Sequence, residues 1–432
     1  MKKKVLSFAA LACAAVCACS MAACGDGDRS NQLGKPVEFE YGQPENLPAF
    51  RWKADAFASS FAAETYAAYG KADNFTVSPI SVYSALALAA ECASGDTRTE
   101  ILSALGVTYE QLRANYPALY RSLNQTHEDE GKVVDMLSLG NSVWLDEALD
   151  HKQSCIDALN SYYQSETRSA DFKNDNAAAN QEVRDFVKEQ TRGLIDQDFQ
   201  LSQYTLFTLI NTLYLKTVWS ANGRDLPYTE QKYDFSNSDG SSASVNLLQG
   251  YYHPGRVYEG KNFSSFYTSA EGGYKIKFIL PKEGKTLDEV FTAENIAEAN
   301  AVVDYLPMNE KQTTEYYTRC FFPEYKCKYN EDIKEILKEK FGIKLLFDDV
   351  YCDYSAMTDM SAFCAKIQHV TDLRVNKTGI EGAAVTVVAN EATSAPPQRK
   401  KVYADFVLDR AFGFVITDKN NVTLFSGVVN KV

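Results

Sequence analysis

Four histidines are the first place to look for catalysis: His127, His151, His253 and His369. A metal centre needs His, Cys, Asp or Glu at close offsets, so that several ligands reach one ion. None of the four has that spacing. The run "HEDE" at His127 lacks a second His and sits among charges, so it reads as a solvated loop. No G-x-S-x-G elbow, H-E-x-x-H helix or Walker loop occurs, and no carboxylate pair stands apart. These absences lower the expectation of an enzyme, and no cofactor or metal is implied.

Ten cysteines shrink on inspection. Cys13, Cys17 and Cys19 fall in an apolar leader and Cys24 at its end. The remaining six, Cys92, Cys155, Cys320, Cys327, Cys352 and Cys364, form no C-x-x-C, so neither a zinc knuckle nor a dithiol redox site is indicated. A disulfide between Cys352 and Cys364 is conceivable in an exported chain. Cys320 and Cys327 lie an odd number of residues apart and face opposite sides of a strand. Buried free thiols are the simpler expectation.

The stretch "NKTGIEGAAVTVVANEATSAPPQRKK", residues 376 to 401, poses a different problem. Its first half is small and β-branched with one charge, as in a strand buried on both faces. Its second half is polar and loop-like, open to proteases. Parity puts Ile380, Gly382, Ala384, Thr386 and Val388 on one face and Glu381, Ala383, Val385, Val387 and Ala389 on the other.

Around these residues the chain alternates helical and strand patterns. "DAFASSFAAETYAAYG" has helical spacing and stops at Gly70. "SPISVYSALALAAECAS" opens with Ser78 as N-cap and Pro79 at the first helical position, and is apolar nearly all round. "DTRTEILSALG", "AAANQEVRDFVKEQTRGLI" and "NEDIKEILKEKFG" are further helices. "TLFTLINTLYLKTVW" suits a central strand covered on both faces. "YKIKFILP" alternates, with Lys275 and Lys277 against apolar neighbours, and predicts a half-exposed strand. "KVYADFVLD", "FGFVITD" and "VTLFSGVV" are strand-like. Helices dominate the first half and strands the second, which predicts an α+β fold with a large mixed sheet.

The first 23 residues have a basic start (Lys2, Lys3, Lys4) and a small-residue apolar run, as in a signal peptide. "MAAC" resembles a bacterial lipobox, which makes Cys24 the lipidated residue and implies an exported, membrane-anchored protein. Asp26 and Asp28 resemble acidic surface-export signals of some lipoproteins. Residues 24–47 are polar and read as a flexible tether. No later segment is long and apolar enough to span a membrane. Net charge is −13, and −16 once the three leader lysines are gone, which disfavours nucleic acid as a partner.

Eight segments, in order, resemble the serpin family. "NFTVSPISVYSALALAAECASGDT" is similar to N-x-x-x-S-P-x-S followed by G-A-x-x-x-T, with Cys92 for Gly. "TRGLI" is similar to T-x-G-x-I, with Arg184 and Phe186 upstream in place of Asn and Trp. "NTLYLKTVW" is similar to N-x-x-Y-F-K-G-x-W, with Leu215 and Thr217 changed. "ILPKEG" matches closely. "KFGIKLLFDDVYCDYSAM" resembles L-G-I-x-x-L-F with a following D-x-S. "HVTDLRVNKTGIEGAAVT" resembles the strand and hinge that lead into the reactive loop. "LDRAFGFVITD" and "VTLFSGVV" resemble the closing strands, with Ala411 for Pro. The resemblance implies a serpin fold in one domain, 48–432: a large mixed central sheet, two smaller sheets, about eight or nine helices, and an exposed reactive-centre loop at about 377–401.

It also implies a mechanism. A protease cuts the loop and forms an acyl-enzyme; the segment before the cut inserts into the central sheet, and the protease is trapped. The metastable native state is held by a kinetic barrier. The hinge would be Lys377, Gly379, Ile380, Glu381, Gly382, Ala383, Ala384 and Thr386. Lys377 and Ile380 depart from the family's Glu and Thr or Ser, and bulky Ile380 is expected to slow insertion. Counting from Lys377 puts the reactive bond between Thr393 and Ser394, suited to an elastase- or subtilisin-like target. Arg399, Lys400 and Lys401 would be a trypsin substrate site. Ser78, Ser81, Asn211 and His369 match a hydrogen-bonded cluster where the sheet parts, and Trp219 matches the tryptophan where the loop enters. The implied partner is a target protease, met by a monomer. A non-inhibitory surface lipoprotein with a binding or adhesive role is the alternative, favoured by Lys377 and Ile380.

Overall fold

The computed structural model describes residues 31–37, 47–129, 132–219, 224–302, 314–365, 367–380 and 400–432. Its centre is α2 (Pro79–Cys92), buried at every position as its all-round apolar sequence requires. Pro79 occupies the first helical position, but the Ser78 side chain makes no cap bond; the backbone alone starts the helix. Packed around it are α1 (Leu47–Tyr69), α3 (Gly95–Leu105, ended by left-handed Gly106), α4 (Tyr109–Ser122) and α5 (Gln153–Tyr163). The amphipathic α6 (Asn176–Gln190) lies on the other side of the main sheet, and Leu287–Val290, Ala293–Val302 and Lys334–Lys340 are three shorter helices.

The main sheet has eight strands: β1 (Gln32–Gly34), β2 (Gln125–Asp129), β3 (Lys132–Asp146), β4 (Ser165–Ala170), β5 (Phe207–Val218), β6 (Tyr325–Asp332), β7 (Gln368–Val375) and β8 (Gly379–Ile380). Their order is β1-β4-β3-β5-β8-β7-β6, with β2 paired to β3. One face carries Leu137, Leu139, Leu209, Leu213, Leu215 and Leu373 against α2 and its neighbours. The other carries Trp144 and Ile210 against Val183, Phe186 and Val187 of α6. With both faces covered, β5 is buried at almost every position, as its long, nearly uncharged sequence predicts. A six-stranded sheet, a four-stranded sheet and a two-stranded hairpin complete the α+β architecture.

Four expectations change. Gln32–Gly34, inside the supposed tether, is an edge strand on β4, with Gln32 opposite Arg168 and Gly34 opposite Thr167. Gly34 is needed there: a Cβ would lie 2.6 Å from the Ile156 side chain. Lys275–Pro281 is not half-exposed. Lys277 is fully buried, and its ammonium donates to Asn300 O (2.8 Å), Asn300 Oδ1 (2.6 Å) and Asn421 Oδ1. The first three residues of "HEDE" lie in a strand, Gln125–Asp129, not a loop, and His127 Nδ1 lies 3.3 Å from the buried Asp135 carboxylate. The cysteines follow the simpler expectation: all six in the described residues, Cys352 and Cys364 included, are free thiols, and all but the half-buried Cys352 are buried. The fourth change concerns strand parity. Cys320 and Cys327 lie in different sheets, Thr314–Phe322 and β6, so strand parity does not relate them.

Candidate functional site

The site is a lane between β5 and β7. These strands are not hydrogen-bonded neighbours; β8 lies between them, antiparallel to both. With strands about 4.8 Å apart, β5 and β7 stand roughly 10 Å apart at this level. Gly379 pairs with Val218, and Ile380 pairs with Thr217 on one side and Val375 on the other. The Ile380 side chain is fully buried among the core residues beneath the sheet. Its bulk is therefore already seated in the lane of the uncut chain. Gly379 is dictated by close approach: a Cβ there would sit 2.0 Å from the Thr217 carbonyl oxygen.

Trp219 follows β5 and holds the turn that feeds the lane. Its indole N–H donates to Asn376 O (2.7 Å) and its backbone N–H to Thr378 O (3.2 Å). The Asn376 side chain accepts from Thr378 N and Gly379 N at 2.9 and 3.2 Å, closing an Asx-type turn. Lys377 fits this frame. Its ammonium reaches Asp225 at 3.0 Å, its N–H donates to Glu324 and its carbonyl accepts from Leu226. The Asp225 carboxylate raises the Lys377 pKa by favouring the charged form.

Below the entrance lie the other predicted residues, joined as two pairs. Ser81 Oγ donates to Asn211 Oδ1, tying β5 to α2. Ser78 N–H donates to His369 Nε2 (3.0 Å), tying β7 to α2. That bond fixes the proton of a neutral imidazole on Nδ1. Burial pushes the His369 pKa down to about 3, with Phe61 and Tyr329 rings packed on it. The Ser78 hydroxyl is buried and meets no partner among the described residues.

A larger network continues where sequence reasoning stopped. Asn211 Nδ2 donates to Asn141 Oδ1 (2.5 Å), directly opposite it on β3. Asn141 Nδ2 donates to Tyr116 OH (2.9 Å) and Tyr163 O (2.7 Å). The signal was present: Asn141 interrupts a strand buried on both faces, where a polar residue must be satisfied.

Glu381, Gly382, Ala383, Ala384, Thr386, Thr393, Ser394 and Cys24 lie outside the described residues. Lys400 and Lys401 begin a strand, Lys400–Val407, pairing in parallel with Thr314–Phe322. Lys400 and Lys401 are therefore held in a ladder, while Arg399, the first residue of that basic run, lies outside the described residues.

Comparison with known proteins accounts for this arrangement. Residues 53–432 match the family model for Serpin (serine protease inhibitor). The chain belongs to the serpin family. Alpha-1-antiproteinase S of Cavia porcellus is 26% identical over 376 residues, covering 82% of this chain and 84% of the relative. Among solved structures, the serpin resembles the thermophilic serpin tengpin in its native state, with a TM-score of 0.73, 20% identity and coverage of 92% and 97%. It also resembles thyroxine-binding globulin in complex with thyroxine, with a TM-score of 0.72, 22% identity and coverage of 89% and 99%. Serpin relatives are protease inhibitors rather than enzymes.

Proposed function

We propose that this serpin is a suicide inhibitor of serine endopeptidases, with some reach to cysteine endopeptidases, acting by insertion of its cleaved loop between β5 and β7. One observation carries the reading: Gly379 and Ile380 already pair as a strand in that lane. Ile380 faces the core, so the same-parity Gly382, Ala384 and Thr386 would follow it inward. Six positions beyond Ile380, the same register brings Thr386 opposite Asn211 on β5 and His369 on β7. A small hydroxyl residue there suits a site with an unpaired serine hydroxyl. Each inserted residue adds backbone bonds worth about 0.5–1.5 kcal/mol, so about a dozen give on the order of ten kcal/mol. Thr393, carrying the acyl bond to the protease, would come to lie three positions past Phe207, where β5 begins. The reactive bond is assigned to Thr393–Ser394, for an elastase- or subtilisin-like protease. Cys24 is proposed as a lipid anchor that holds a monomeric inhibitor on a bacterial envelope. The alternative binding role leaned on Lys377 and Ile380, and both are well accommodated at the hinge.

Incubation with elastase-, subtilisin-, trypsin- and papain-like proteases tests this. The expected result is an SDS-stable complex with the first two, a lower yield of complex with the papain-like enzyme, and a released peptide starting at Ser394. Cleavage by all four without a complex would contradict it.

A further inference from the structure

A buried carboxylate in α2 has no part in the mechanism so far. Glu91 is the charged residue of a helix that is buried throughout, and is itself only 3% exposed. A carboxylate removed from water is costly unless it is paired. Here Arg113 of α4 grips both oxygens, Nε to Oε2 at 3.0 Å and Nη2 to Oε1. Tyr109 OH donates to Oε1 (2.8 Å) and Tyr163 OH, at the end of α5, to Oε2 (3.1 Å). The Arg113 guanidinium is stacked between the Tyr109 and Tyr162 rings.

Tyr163 links this hub to the lane. Its hydroxyl is held by Glu91, and its carbonyl accepts one N–H of Asn141. Its ring packs on Tyr116, whose hydroxyl takes the same amide nitrogen. With the NH2 group of Asn141 so committed, its oxygen must turn to Asn211. The Asn211 NH2 is then committed, and its oxygen is left for the Ser81 hydroxyl. An amide has a donor end and an acceptor end, so fixing the first fixes the sequence of bonds.

We infer that Glu91 is a positioning residue for the lane. Through Tyr163 and Asn141 it orients Asn211, and so sets how readily β5 parts from its tie to α2. The inference rests on the inhibitory reading for its consequence, but its geometry does not involve the loop.

The test is hydrogen exchange of β5 amides 208–214 in the intact full chain, with Glu91→Gln, Tyr163→Phe and Asn141→Ala, singly and with Asn141→Ala as background. Glu91→Gln keeps the shape of the side chain, and Tyr163→Phe removes only the link to it. Each is expected to speed exchange about tenfold, the worth of one charge-assisted hydrogen bond. Neither should add anything in the Asn141→Ala background, since the route is then already broken. Unchanged exchange, or effects that multiply with Asn141→Ala, would overturn the inference and leave Glu91 as helix packing alone. Because no protease is present, this outcome is separable from a failure of the inhibitory reading, which would show as a normal exchange pattern with no SDS-stable complex.

Discussion

At its upper end the lane between β5 and β7 is filled by backbone and one apolar side chain; about 20 Å below, six residues along each strand, the flanking strands are held by neutral polar bonds. Above, Gly379 and Ile380 complete the ladders to both neighbours. Below, Asn211 and His369 are each tied to α2, through Ser81 and through Ser78. For the proposed insertion, the difference separates entry from passage. Entry requires only that a strand fit, and the first two residues already do. Passage requires that the polar ties to α2 yield or be exchanged for bonds to the incoming strand.

The sharpest break is at the upper end. Gly379→Val places side-chain atoms where the Thr217 carbonyl stands, so β8 should leave the lane. The variant is expected to be cleaved by every protease without an SDS-stable complex. A complex at the unaltered yield would show that seating at the top does not matter.

At the lower end, Asn211→Ala strips the Ser81 hydroxyl and the Asn141 carbonyl of their partner. Leaving buried polar groups unpaired costs about 2–3 kcal/mol. Denaturant unfolding should show that loss in the intact chain. Heat-driven conversion to the inserted form should become faster, while entry at Gly379 and Ile380 is unaffected.

A smaller effect comes from pH. His369 has a folded pKa near 3, below its ordinary value of about 6.5. The native chain therefore binds fewer protons than the unfolded chain between those values. Stability is whole above pH 6.5 and falls by about 1.4 kcal/mol per pH unit below it. His253, pushed down to about 4 by burial, acts in the same direction. Asp55, pushed up to about 6 by burial, acts in the opposite one between about 4 and 6. His369→Gln should remove only its own share of the slope between pH 6.5 and 5, measured by chemical unfolding. An identical slope would mean that His369 is not buried neutral.

Much of this was legible in the sequence because the carrying residues sit in contiguous motifs. Ser78 and Ser81 flank Pro79 at the start of a helix apolar nearly all round, and Asn211 lies in a long, nearly uncharged strand. What escaped depends on partners far apart along the chain. Lys277 alternates with apolar residues and so suggests solvent, yet Asn300 and Asn421 enclose its ammonium. Gln32–Gly34 is too short and polar to read as a strand; it is ordered by the edge of β4. The hub at Glu91 was missed because its bonding partners come from two other helices, α4 and α5, distant along the chain. Ser78 was legible as a helix start, but not the use of its backbone N–H by His369.

The central claim is that the cut loop fills the lane between β5 and β7. Its most direct test is the melting temperature of the full chain before and after a single cut at the reactive loop. Insertion predicts a large rise, since a complete strand then bridges both neighbours. An unchanged melting temperature after verified cleavage would contradict the account.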